Sequence, residues 1–164
     1  MPDEALDPIR TAFAFAEPRQ ERIHRRLGLL GPGPAAFYRD ACILMNTDVG
    51  LASVTHLVGH LFREIESALR DVVGATVPVL EPGPKKNEGH KCKIRAILAG
   101  LGISDTHPIS LAWMRLPGKD SEYGLHSQAH RDNLASARPV DSEIRGRWKD
   151  FEGILDTVLE RFES

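Results

Sequence analysis

Apolar residues recur every three or four positions along two long stretches of the chain, and shorter runs of the same spacing lie between breaks of proline and glycine. From residue 51 to 73 the apolar positions are Val54, Leu57, Val58, Leu61, Ile65, Ala68, Leu69 and Val72. This spacing predicts a helix of about six turns, with His56, His60, Arg63, Glu64, Ser67 and Asp71 on its polar face and Gly74 as its stop. From 144 to 162, Ile144, Trp148, Phe151, Ile154, Leu155, Val158, Leu159 and Phe162 form a second stripe, opened by a capping candidate at Asp141-Ser142-Glu143. Both apolar faces must be buried, so the two helices are expected to pack against one another at the centre of a bundle.

The shorter elements are read from their punctuation. Asp7-Pro8 opens an apolar stretch through Ile9, Phe13 and Phe15 that Pro18 interrupts. A helix over 19–30 carries Arg19, Arg22, Arg25 and Arg26 on one side and Ile23, Leu27 and Leu30 on the other, and Gly31-Pro32-Gly33-Pro34 stops it. Over 35–45 the apolar positions are Phe37, Ala41, Leu44 and Met45, followed by a turn at Asn46-Thr47-Asp48. Pro78, Pro82 and Pro84 make 77–87 a loop or a short edge segment. Ile94, Ile97, Leu98 and Leu101 carry a helix ended by Gly102, and Asp105-Thr106-His107-Pro108 is a capping-like turn before a short apolar piece over 109–116. No alternating strand run and no internal repeat is present. The fold class that follows is all-α, a helical bundle of about five principal helices with sequential helices antiparallel. Residues 1–34 read as an N-terminal helical arm and 35–164 as the bundle.

Composition narrows the functional classes. A chain of 164 residues fits one domain, and 41% apolar with 27% charged residues excludes wholesale disorder and a collagen-like repeat. With 21 basic and 23 acidic residues the net charge is −2, which argues against a whole-surface nucleic-acid binder and leaves a local patch. Lys85, Lys86, Lys91, Lys93 and Arg95, against Glu88 alone, supply such a patch and are the candidate nucleic-acid contacts. Cys42 and Cys92 have no CxxC spacing, so free thiols are expected. The start Met1-Pro2-Asp3-Glu4 is acidic where a signal peptide is basic, and no apolar run approaches a bilayer span, so the chain reads as cytoplasmic, without a membrane. Without a GxGxxG or P-loop motif, no nucleotide cofactor is expected.

Two histidine pairs carry candidate chemistry. His56, His60 and Glu64 stand at i, i+4 and i+8, which aligns them along one helical stripe as metal ligands require. The stripe lacks the glutamate of the HExxH pattern, and a solvated face or a surface for a partner helix explains it as well, so no metal is assigned. The second pair, His126 and His130, is followed at once by Arg131 and Asn133. One histidine can take a proton from a ribose 2′-hydroxyl, another group can deliver one to the leaving 5′-oxygen, and Arg131 can offset the charge gathering on phosphorus. The bland reading is a histidine-rich helix end that caps carbonyls. His130-Arg131-Asp132 matches a kinase triplet by chance, since the other kinase motifs are missing. His90 and Cys92 form an HxC pair with no second pair to complete a site.

The long amphipathic helix, the basic helix after it, the Ala129-His130-Arg131 element and the closing helix together resemble the HEPN superfamily, small all-helical domains of bacterial toxins and antiviral effectors. The resemblance spans 35–162 and rests on arrangement more than identity. It implies metal-independent RNA cleavage by an arginine four to six positions before a histidine, in a homodimer that joins two such motifs. Ala129-His130 matches the histidine end. The positions before it are His126, Leu125 and Gly124, and Arg131 follows, so the resemblance also accommodates a degenerate, non-catalytic member. The run 151–163 resembles the end of an N-terminal helical region of longer bacterial proteins.

Two functional expectations result. The first is a ribonuclease or nucleic-acid-processing module of bacterial defence, acting on RNA through His126, His130 and Arg131. The second is a non-catalytic dimerisation or interaction module that docks a second copy or a partner through the His56, His60 and Arg63 face, which an exposed apolar patch beside that face would favour.

Overall fold

The computed structural model of the chain describes residues 13–48, 50–78, 89–116 and 140–164. Among them are six helices and no strand: α1 (Pro18–Leu27), α2 (Pro32–Asn46), α3 (Val54–Gly74), α4 (Gly89–Gly100), α5 (Pro108–Arg115) and α6 (Ser142–Glu163). The architecture is the all-α helical bundle that the periodicity requires.

Local chemistry sets the helix ends. Gly31, with φ of 147°, adopts a backbone that an L side chain resists, and Pro32 follows it into the first turn of α2. Gly31-Pro32-Gly33-Pro34, expected as the stop of α1, opens α2 instead, because a first-turn proline lacks only an N–H that would go unpaired anyway, while α1 already ends at Leu27 with Gly28 as its C-cap. At the end of α4, Gly102 has φ of 67° and donates its N–H to Ala99, while Ile103 donates to Leu98 at 2.8 Å. This Schellman closure buries Ile103 and Leu98 in the core. The Nδ1 of His107 caps α5 by accepting from the Ile109 N–H at 3.2 Å, and Asp141 caps α6 by accepting from Ile144 at 2.9 Å.

The buried stripes differ from the sequence reading by small rotations. On α3 the core positions are Val54, Val58, Phe62, Ile65, Leu69 and Val73, and Leu57 is left exposed. On α2 they are Tyr38, Ala41, Cys42 and Met45, with Phe37 outside. Tyr38 can replace a pure hydrocarbon there because its hydroxyl finds an acceptor inside the bundle, as described below. On α6 every expected position is buried except Phe162, which packs at the margin of the core.

α2 lies mainly on α3, and α6 lies mainly on α1 and α5, while α4 bridges α3 and α5. The expectation that the two longest helices share a long central seam therefore gives way to a narrow crossing at Phe62, whose ring stacks on Trp148 and Phe151 at 5.0 and 4.6 Å. The face of α6 is broad enough to need covers from both sides, and α1 supplies one of them. Its Ile23 and Leu27 are fully buried in the core they share with the later helices, each side chain contributing roughly 1.5–3 kcal/mol by leaving water. Among the described residues no helix is long and apolar enough to cross a membrane.

Candidate functional site

The arginine side of α1 does not face solvent alone. It meets an acidic stripe on α6 at Glu152, Asp156, Glu160 and Glu163, spaced four, four and three residues apart and so aligned on one side of a helix. Arg19 reaches Glu152 at 3.0 Å, Arg22 holds Asp156 through two bonds of 3.0 and 2.7 Å, and Arg26 spans Asp156 at 3.2 Å and Glu163 at 2.8 Å. Partner numbers rise together along both helices, so α1 and α6 run parallel. Hydrogen bonding to Asp156, and its charge, hold the Arg22 guanidinium above its ordinary value. The bond from Arg26 holds the Glu163 carboxyl below the usual carboxylate range.

Glu152 is the innermost member, 2% exposed. Its carboxylate accepts from the Tyr38 hydroxyl at 2.7 Å, from Gln20 Nε2 at 2.9 Å and from Arg19 Nη2. Three donors offset the cost of burying the charge. Burial, with Cys42 and Glu152 nearby, drives the Tyr38 phenol far above its ordinary range, so it serves as a donor. Burial likewise pushes the Cys42 thiol up to about 12, against a smaller opposing effect of its bond with Tyr38. Cys42 is therefore a packed, protonated thiol and no nucleophile.

Beside this cluster a cleft of about 500 Å³ opens between α1, α2 and α6. Gln20 and Glu152, both buried, and the exposed Asn46 supply polar lining, with Met45 and Trp148 as apolar lining. Arg19, Arg145 and Lys149 stand around it, with Glu17 at the start of α1. Trp148 is only 5% exposed and stacks on Tyr38 at 5.6 Å, which leaves a ligand little of its ring. Arg19 Nε is buried and has no hydrogen-bond partner, a state that costs about 1–3 kcal/mol.

A second buried carboxylate, Glu66 on α3, ties three elements together. Its Oε1 accepts from Arg70 Nε at 2.7 Å and from the indole N–H of Trp113 on α5 at 3.0 Å. Arg70 Nη1 also donates to Nδ1 of His90 at the start of α4, which places the proton of the neutral imidazole on Nε2. Burial first, and the Arg70 charge second, lower the His90 pKa.

The N-terminal half of α3 is the site of the first histidine pair. The rings of His56 and His60 meet edge to face with centroids 5.2 Å apart, and both side chains are half-buried. Among the described residues no group of three histidine, cysteine or acidic side chains is placed to hold a metal ion. Next to His56, Leu57 is 39% exposed, and Leu51, before the start of α3, is 48% exposed. Arg63 and Glu64 pair at 3.0 Å one turn further on.

The basic patch is divided by the structure. Lys91 and Arg95 stand exposed one turn apart on α4, whereas Lys93 turns to Asp71 of α3 at 3.0 Å. Lys85 and Lys86, and the proposed catalytic residues His126, His130 and Arg131, lie outside the described residues. Sequence reasoning missed Glu66, Glu152, Tyr38 and the cleft. The one available signal was the match between arginines at 19, 22 and 26 and acids at 152, 156, 160 and 163, two complementary stripes at helical spacing. No family model, curated protein or solved structure matches the chain.

Proposed function

We propose that the chain is a non-catalytic helical interaction module that pairs with a second copy of itself through the N-terminal half of α3. One observation carries this reading: Leu57 stays in water next to His56 on a helix whose other large apolar side chains are buried or half-buried, and Leu51, just before that helix, is exposed as well. A helix that could hide Leu57 by a small rotation, but presents it, offers an anchor for another surface. Charges of both signs at Arg63 and Glu64 suit a self-complementary face. The reading includes a reducing, cytoplasmic setting, which the unpaired thiols of Cys42 and Cys92 support. Light scattering across a concentration series tests it. Wild type is expected to form a dimer that dissociates on dilution, and Leu57→Glu to remain monomeric with unchanged helix content; a wild-type monomer at every concentration overturns the reading.

The second reading is the HEPN-like ribonuclease with His126, His130 and Arg131 in the catalytic roles. The exposed Lys91 and Arg95 support it, since a pair of cations one turn apart suits contact with a phosphate backbone. Mixed RNAs incubated with the protein in chelator separate the two readings. Cleavage by wild type and its loss in His130→Ala favour the nuclease; intact RNA in both favours the interaction module.

A further inference from the structure

We propose that the cleft between α1, α2 and α6 binds a small oxyanion of the phosphate class, held by Arg19 from one side and by Arg145 and Lys149 from the other. The proposal is independent of the α3 docking face. Arg145 and Lys149 are one turn apart on α6, exposed, and have no ion-pair partner among the described residues. Such cations are common on surfaces, but here both line one concavity and Arg19 closes it from α1.

The charge balance of the cleft favours an anion. Three cations face two carboxylates, Glu152 and Glu17. Glu152 is already engaged by Tyr38, Gln20 and Arg19, so its charge is largely answered from within. Arg145 and Lys149 then outweigh Glu17.

The donors also suit the ligand. Arg19 spends Nη2 on Glu152, yet its Nε has no acceptor. Nε and Nη2 lie along the same edge of a guanidinium, the edge that grips planar or tetrahedral oxyanions. A modest turn of the side chain brings Nε to an oxygen seated in the cleft and leaves the Glu152 bond in reach. The Asn46 amide donates Nδ2 to Gln20 Oε1 at 3.0 Å, joining α2 to α1 at the cleft. A volume of about 500 Å³ admits a phosphorylated small molecule as readily as free phosphate.

Thermal unfolding and calorimetry with inorganic phosphate test the site, using sodium chloride at equal ionic strength as the reference. Wild type is expected to show a saturable rise in midpoint and measurable heat with phosphate and neither with chloride. The double variant Arg145→Gln, Lys149→Gln removes only exposed, unpartnered charges, so its unliganded midpoint stays that of wild type while its phosphate affinity falls at least about tenfold. A parallel titration with a nucleoside 5′-monophosphate distinguishes free phosphate from an esterified source by which of the two binds more tightly. Absence of a saturable response in wild type to either probe, or an equal response in the double variant, overturns the proposal.

Discussion

The indole N–H of Trp113 on α5 points at the carboxylate of Glu66 on α3, 3.0 Å from the same oxygen that Arg70 Nε reaches at 2.7 Å. A single buried acid therefore fastens α5 to the middle of α3 and fixes the arginine that reaches on to α4. Removing the acid strands two donors at once. Glu66→Ala is expected to lower stability by about 3–5 kcal/mol, and Glu66→Gln, which keeps an acceptor for the indole, by less, as read from urea unfolding.

Acidification should weaken the α3–α4 junction through His90. Its folded pKa lies below the ordinary histidine value, by burial and by Arg70, while Glu66 and Asp71 pull the other way and Lys93 adds to the lowering. The native state then binds fewer protons than the unfolded chain between that folded value and about 6.5. Its contribution is whole above about pH 6.5 and is lost as the pH falls toward the folded pKa. Urea midpoints measured from pH 7.5 down to 5.5 should decline in wild type and flatten in His90→Gln. Glu163, with its carboxyl lowered, contributes stability that is present above its ordinary value and lost in a separate, more acidic window.

Three glycines should respond with opposite signs to the same substitution. Gly102 sits at φ of 67° with open space around a would-be Cβ, so Gly102→Ala meets no clash but strains the backbone, costing roughly 1–2 kcal/mol. Gly146 and Gly153 lie inside α6, also with open space, and alanine there should stabilise by about 0.5–1 kcal/mol. Thermal midpoints of the three single variants read the contrast directly.

Neighbouring arginines on α1 should differ in weight. The Arg26 side chain is 10% exposed and bonds two acids, whereas that of Arg25 is 65% exposed and reaches one at 3.3 Å. Arg26→Ala is expected to lower the thermal midpoint and to make it less salt-sensitive, while Arg25→Ala leaves it within error.

The long helices were legible because each keeps one apolar side for many turns, and α6 was read almost residue for residue. Chain breaks were legible where a glycine had to adopt positive φ, as at Gly102, but Gly31-Pro32, read as the stop of α1, is the start of α2, and α1 closes earlier, at Gly28. The rotations of α2 and α3 escaped the pattern. Tyr38 and Phe37 are both aromatic, and the groups that receive Tyr38 inside, the Glu152 carboxylate and the Trp148 ring, lie more than a hundred residues away. The buried acids were illegible for the same reason, since a glutamate on a helix reads as surface until its donors arrive from other elements. Of the candidate sites, the α3 face and the basic α4 helix were found from sequence. The cleft was not, because it is built from three helices whose sequence positions share no motif.

The parallel seam of α1 and α6 has a consequence for how the chain is made. A ribosome releases α1 more than a hundred residues before Glu152, Asp156 and Glu163 exist, so its arginines and its Ile23–Leu27 edge wait without their partners until α6 emerges. Contacts of such sequence separation slow the search for the native state, and closure of the bundle waits for the synthesis of α6.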